Sequence, residues 1–368
     1  MKYILLSLIL LLTACTPKAA DEKVNTTQNI VDTKEDNKST DTSKNDKETD
    51  VKTDENLDNQ TAEVKEGSAQ KVDISLKPNE AGKIMVLMYH NIGTEEEEWV
   101  RTPENFKKDL ETLYEKGYIP ISLKDYVSGN IHTPAGKTPY VLTFDDTNEN
   151  NFRYLSDGSI DPNCAVGILL EFAKKHPDVK PYCTFFGNGE IPFRVTGQEK
   201  EKVNFLIKNH MDLGNHTVNH PDLTEMKPES VLYEVGRQAK YLTSLFDGNY
   251  EVNTLALPFG SRPTDSEAEA KIFSGEYEGF NYKNIAVLNV GWDPYFSPYH
   301  TEFNPHHIHR IRASEIHVDG VGLYDWLKHF DENPEARFIS DGFPNIVTIK
   351  SDAVDQITNI GERELFIY

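Results

Sequence analysis

From residue 80 onward, short apolar runs alternate with stretches of helical periodicity, and this alternation limits the fold more than any other feature of the chain. Strands are expected at 84–90, 119–123, 140–146, 181–186, 212–217, 254–259, 285–290 and 307–312. Helical patterns fall between several of them, at 102–116, 165–175, 200–209, 228–245 and 321–330. Two helix starts carry Pro at the first helical position, Thr102-Pro103-Glu104 and Lys227-Pro228-Glu229. Runs such as Tyr140-Val141-Leu142-Thr143-Phe144 are nearly continuous in apolar residues, as strands covered on both faces are. Repeated strand–helix units of this kind predict an α/β chain, a distorted (β/α) barrel of about seven strands, rather than a sandwich.

The residues before 80 read differently. Met1 to Cys15 has one Lys, an apolar run and then small residues, the build of a secretory signal, and it is too short for a stable membrane span. Leu12-Thr13-Ala14-Cys15 resembles the lipobox of bacterial lipoproteins, in which the signal is cut before a Cys that then carries lipid. The resemblance implies that Cys15 is a lipid anchor and that the protein sits on the extracellular face of the cell membrane. Residues 16–80 are rich in Asp, Glu, Lys, Asn, Thr and Ser, with no aromatic residue between Asp21 and Lys71. Such a segment buries too little apolar surface to offset chain entropy, so a disordered polar tether is expected, followed by one domain over 81–368. A coil of about 60 residues spans roughly 40–45 Å root-mean-square. With 38 Lys+Arg against 60 Asp+Glu the net charge is −22, which argues against a nucleic-acid partner. A monomer is expected.

Under the barrel reading, reacting groups belong at the C-terminal ends of strands. Those ends carry Tyr89-His90, Asp145-Asp146, Asn215-His216-Thr217 and Pro258-Phe259-Gly260. Adjacent carboxylates at a buried strand end repel unless a cation or protons compensate them. Once the chain turns, one can bind a metal while the other stays free as a base. His216 and His220 are four apart, and in a helical turn they lie on one face and meet one ion. Thr217 follows the first His, so this is not the HExxH pattern of zinc peptidases. Two imidazoles and one carboxylate leave coordination positions open, as catalytic metals require.

Thr143-Phe144-Asp145-Asp146, then Gly214-Asn215-His216-Thr217-Val218-Asn219-His220, then Leu255-Ala256-Leu257-Pro258-Phe259-Gly260, together resemble the polysaccharide deacetylase family (the NodB homology domain, carbohydrate esterase family 4). Met88-Tyr89-His90-Asn91-Ile92 is similar to the opening YHxI element of one exported branch, and Cys183-Thr184-Phe185-Phe186 to the family's ATFF strand. The likeness runs from about Lys83 through Pro263 and more faintly to the C-terminus. It implies hydrolysis of N-acetyl groups on an N-acetylhexosamine polymer, a glycan of the cell wall or the extracellular space. By the same resemblance Asp145 is the catalytic base, and Asp146, His216 and His220 hold one divalent metal, usually Zn²⁺ and sometimes Co²⁺ or Ni²⁺. The resemblance also implies that the Phe259 N–H, after Pro258 in the substrate-binding strand end, faces the oxyanion.

The departures are specific. The family's third motif opens with an Arg that orients the base, and Ala256 stands there instead. Arg310 is the candidate replacement, against a surface Arg paired with an acid. The Leu-x-His proton-donor motif is not found at a strand end. Leu327-Lys328-His329 fits formally but lies in a helix pattern, so His329 reads as structural. His90 is then the candidate proton donor, against a residue that only fills the pocket. Trp292 is either a sugar-stacking platform or a core residue. His306, His307 and His309 would be divided between two strand faces, and Cys164 and Cys183 are too far apart along helix and strand to bridge. Ala256 and the missing Leu-x-His leave a second reading open, a glycan-binding lipoprotein without turnover.

The tether reading has a direct test. Deleting residues 21–70 should leave the thermal midpoint and any activity on soluble oligomers unchanged; a large fall in the midpoint on calorimetry would show that the segment packs on the domain.

Overall fold

The computed structural model describes residues 72–368; the signal, Cys15 and the tether as far as residue 71 lie outside the described residues. Eight strands form one all-parallel sheet: β1 (Met85–Tyr89), β2 (Tyr118–Ile121), β3 (Thr138–Phe144), β4 (Cys183–Gly187), β5 (Met211–Asn215), β6 (Thr254–Ala256), β7 (Ala286–Leu288) and β8 (Ile311–Arg312). Their order is β7-β6-β5-β4-β3-β1-β8, with β2 paired to the first half of β3. Ile308 bridges Leu288 of β7, and three residues later Ile311 pairs with Leu87 of β1. One short segment therefore joins the two edges, and seven strands close into the distorted (β/α) barrel expected from the alternation.

Each barrel strand is buried on both faces because its side chains alternate between two cores. Met85, Leu87 and Tyr89 join Leu142, Phe144, Phe185 and Leu213 under the helices. Val86 joins Val141, Phe186, Ala256, Leu288 and Ile308. At Gly214 a Cβ would lie 2.3 Å from the Phe186 ring, so only glycine fits beside that interior aromatic.

Seven helices surround the sheet: α1 (Pro103–Glu115), α2 (Leu123–Ser128), α3 (Ala165–Lys175), α4 (Glu199–Lys208), α5 (Pro228–Ser244), α6 (Ser266–Phe273) and α7 (Leu323–Glu332). Thr102 caps α1 with Pro103 at its first position, and Pro228 opens α5, as the two start signals implied. The short helices α2 and α6 are additions to the sequence reading. α7 starts at Leu323, not 321, because its buried face is Leu323, Leu327 and Phe330. The strand expected at 254–259 ends at Ala256, since Pro258 has no N–H and Phe259 takes a left-handed φ of 57°. The strand expected at 307–312 shortens to β8.

The folded part also begins earlier than 81. Asn79 N–H donates to Ile339 O at 2.8 Å, Glu80 N–H to Thr348 O at 2.9 Å, and the Tyr368 hydroxyl to Pro78 O at 2.9 Å. Residues 72–80, assigned to the tether from composition, are thus held by the C-terminal part of the chain. Cys164 caps α3 and Cys183 opens β4; both are buried free thiols.

A buried polar cluster fastens α1 and α7 to the barrel. Asp109, fully buried on α1, accepts from Arg101 Nε (2.8 Å) and Nη2 (2.6 Å), and from the hydroxyls of Tyr89 (3.0 Å) and Tyr324 (2.9 Å). Asp109→Ala removes the acceptor of Arg101 Nε and Nη2 and of both tyrosine hydroxyls, leaving the buried guanidinium only Glu96 and Glu315 on Nη1, and should destabilise the fold by about 3–5 kcal/mol. Urea denaturation of the variant checks this, and a midpoint equal to wild type would show the cluster to be dispensable.

Candidate metal centre

Strand parity places the first carboxylate. Val141, Thr143 and Asp145 share one face of β3 and its extension, the face turned to the barrel interior. Asp145 is buried there and meets a guanidinium end-on: Arg310 Nη1 donates to Oδ1 at 2.7 Å and Nη2 to Oδ2 at 2.8 Å. Arg310 is itself fully buried, and its remaining donors reach Asn289 O (3.0 Å) and Thr143 Oγ1 (3.3 Å). Burial pushes the Asp145 carboxyl up, but Arg310 and then His216 outweigh it, and the group is held well below the usual carboxylate range. Arg310 is therefore an interior residue paired with the sequence-predicted base, not a surface Arg.

The second carboxylate is turned away by the backbone. Asp146 and Thr147 both take left-handed φ, 73° and 46°. Neighbouring residues so leave the strand in different directions, and Asp146 reaches the histidines. His216 follows β5; its Nδ1 donates to Ala256 O at 2.8 Å, so in the neutral ring Nε2 carries the lone pair. Nε2 of His216 and Nε2 of His220 each lie 3.8 Å from Asp146 Oδ1. The candidate ligand atoms of the three residues fall within 4.8 Å of one another, the one such group among the described residues. One carboxylate and two imidazoles in that arrangement suit Zn²⁺, Co²⁺ or Ni²⁺.

The two histidines do not share a helical turn. Residues 216–220 form a loop with left-handed Thr217 (φ 64°) and His220 (φ 53°). Asn215 Oδ1 accepts from Thr217 N–H at 2.8 Å, and Glu234 of α5 accepts from Asn219 N–H at 2.8 Å and Nδ2 at 2.7 Å. A tertiary anchor replaces the expected helix, and the imidazoles still converge.

Around this centre, His90 Nε2 stands 3.9 Å from Asp145 Oδ2. Burial lowers its pKa, with Asp145 acting in the opposite direction. Phe259 is 67% exposed and sets its ring 4.6 Å from the His220 ring, over buried Pro258. Gly260 follows with φ 66°, where a Cβ would sit 2.9 Å from Val290 N. Trp292 is 63% exposed, so it is not a core residue. Its position after β7 puts it on the same rim. His306 bonds Asn284 O while His309 bonds Asp293, so that tract gathers no metal. His329 lies exposed on α7 against Trp326.

Sequence reasoning missed three residues. Trp99 packs against His90 with ring centroids 4.7 Å apart and the planes tilted by 56°, and it lines a cleft of about 170 Å³ with Met88, Val290, Gly291 and Arg312. Asn188 and Arg194, in the loop after β4, contact Asp146. Their one legible signal was that this loop also leaves the C-terminal end of a strand.

Comparison with known proteins gives a family for part of the chain. Residues 132–274 match the polysaccharide deacetylase family; this stretch of the chain is a polysaccharide deacetylase domain. The match includes Asp145, Asp146, His216, His220, Pro258 and Phe259, and leaves His90, Trp292 and Arg310 outside it. Among solved structures the chain is similar to the Streptococcus pyogenes deacetylase PplD in complex with acetate, at 20% identity over 67% of this chain and 98% of that one (TM-score 0.47). It is similar also to the polysaccharide deacetylase BC0361 from Bacillus cereus, at 16% identity over 67% and 69% (TM-score 0.48). IcaB from Ammonifex degensii matches at 16% identity over 66% and 97% (TM-score 0.45). No curated protein matches the chain significantly.

The ligand assignment makes a measurable claim. The protein should bind one divalent ion per chain, and His216→Ala or Asp146→Ala should each weaken binding by about 3 kcal/mol, roughly 100-fold, by removing one ligand. Isothermal calorimetry with Zn²⁺ checks this; unchanged affinity in both variants would remove the assignment.

Proposed function

We propose that the protein is a metal-dependent hydrolase that removes N-acetyl groups from N-acetylglucosamine-containing polysaccharide of the cell wall or extracellular space. On this reading it is anchored to the outer face of the cell membrane by lipid on Cys15. Peptidoglycan is the nearest polymer for a tethered enzyme, and poly-N-acetylglucosamine is the second choice. The observation that carries the reading is the Arg310-held carboxylate of Asp145 standing beside the Asp146–His216–His220 group at the barrel mouth.

When bound by Asp146, His216 and His220, zinc (or cobalt or nickel) supplies Lewis acidity toward water and the amide carbonyl. Asp145 takes the proton of the attacking water. Arg310 keeps it ionised across the working pH range, which makes it a weak base whose strength is position rather than proton affinity. Oδ2 lies 3.9 Å from both His90 Nε2 and His216 Nε2. The Phe259 N–H, exposed by the left-handed turn after Pro258, donates to the oxyanion that forms as the carbonyl is attacked. His90, 3.9 Å from Asp145, receives the proton that Asp145 took from water and passes it to the amine as the C–N bond breaks, yielding acetate and a free amine. Trp292 and Trp99 offer exposed aromatic faces for neighbouring sugar rings. A binding role without turnover rested on Ala256 in place of an Arg and on the missing Leu-x-His; the Arg310 guanidinium on Asp145 weakens the first ground and leaves the second standing.

Acetate release from N-acetylglucosamine oligomers by zinc-loaded protein tests the activity. Asp145→Asn should retain the ion and reduce turnover by about 10²–10⁴, the usual contribution of general-base catalysis. Loss of the ion from this variant would exchange the roles of Asp145 and Asp146, and undiminished turnover would remove Asp145 from the reaction.

A further inference from the structure

The carboxylate oxygen that both imidazoles approach is itself held from behind. Asp146 Oδ1 accepts from Asn188 Nδ2 at 2.7 Å, and Asn188 is buried in the first loop position after β4. A side-chain amide can present either its oxygen or its nitrogen, and the wrong choice would set two acceptors against each other. Arg194 removes the ambiguity. Its Nη2 donates to Asn188 Oδ1 and, at 2.8 Å, to the backbone carbonyl of Asp146. A guanidinium has donors only, so the amide oxygen must face Arg194 and the amide nitrogen must face Asp146. The same two groups fix both ends of the ligand residue, its carbonyl and its carboxylate.

The backbone around Arg194 is bent to make this possible. Phe193 and Arg194 are consecutive left-handed residues, with φ 60° and 55°. Non-glycine residues keep such a conformation only where their surroundings over-determine it. Here Phe193 is fully buried against Phe152 and Phe185, its N–H donates to Thr147 O at 2.8 Å, and Lys202 Nζ donates to Phe152 O at 2.8 Å beneath it. The bend turns the Arg194 side chain back across the loop onto the turn that carries Asp146.

We propose that Asn188 and Arg194 are positioning residues for the metal centre, a donor-fixed relay that aims Asp146 Oδ1 at the ion. The inference rests on the metal-centre reading above. It makes Arg194, an exposed side chain that contacts no candidate ligand atom directly, a determinant of metal affinity.

The test is Zn²⁺ affinity of the full chain, read by competition with a chromophoric chelator, beside the melting temperature of the metal-free protein. Asn188→Leu keeps the branched shape and removes the donor; Arg194→Met removes the group that orients the amide. Each should weaken Zn²⁺ binding about 10–100-fold, the usual effect of losing a partner that orients a ligand, with the metal-free melting temperature unchanged. Affinity within twofold of wild type in either folded variant overturns the relay. Should Asn188→Leu fail to fold, Arg194→Met decides alone, because its side chain is exposed. His216→Ala separates the two levels: if it weakens binding about 100-fold while the relay variants bind as wild type does, the relay alone is wrong, and if it too binds zinc as wild type does, the metal centre is wrong and the relay with it.

Discussion

A single buried ion pair, Arg310 on Asp145, connects the closure of the barrel to its chemistry. Taking both charges out of water is costly, and such a pair is tolerable only with good geometry and further hydrogen bonds to the remaining donors. Two parallel bonds run to the carboxylate, Nε donates to Asn289 O, and Nη1 donates also to Thr143 Oγ1. Arg310 lies between Ile308, which bridges β7, and Ile311, which pairs with β1. The segment that joins the two sheet edges therefore also delivers the counter-charge to the end of β3. Losing that segment would open the barrel and strand Asp145 beside Asp146 with no cation.

How much of this was legible depends on how local each cause is. Residue type and strand-end position sufficed for Asp145, Asp146, His216 and His220, because alternation along a strand is a local rule and carries Asp145 inward with Val141 and Thr143. The turn between the histidines was misread as helical because its conformation is set by Glu234 on α5, a partner outside the motif. Arg310 could be proposed only as a candidate. Its partner lies 165 residues away, and no spacing rule connects them.

Other features had no sequence signal because backbone handedness decides them. Nothing in Ile191-Pro192-Phe193-Arg194 announces two successive left-handed residues, yet they direct Arg194 onto Asp146. The start of the folded region was hidden differently. Residues 72–80 continue the polar composition of the tether, but composition does not register backbone bonds to Ile339 and Thr348 near the far end of the chain. Buried Glu80, pushed well above the usual carboxylate range by burial and then by Asp341, marks how firmly that stretch is enclosed.

The electrostatics of the mouth then bring the two carboxylates to different ends. Asp145 has a full positive charge on both oxygens, whereas Asp146 has an amide on Oδ1 and two imidazole nitrogens at 3.8 Å. Arg194 reaches the Asp146 carbonyl and the amide, not the carboxylate. One negative charge is therefore compensated within the barrel and the other only by dipoles, at the point where three ligand atoms converge. A divalent cation held there would satisfy Asp146 without competing for Asp145, which is paired with Arg310 and lies 3.9 Å from His90. The left-handed turn at Asp146 is what keeps these two environments apart: were both residues to follow the strand, alternation would send the second carboxylate into the helix-facing core that receives Phe144.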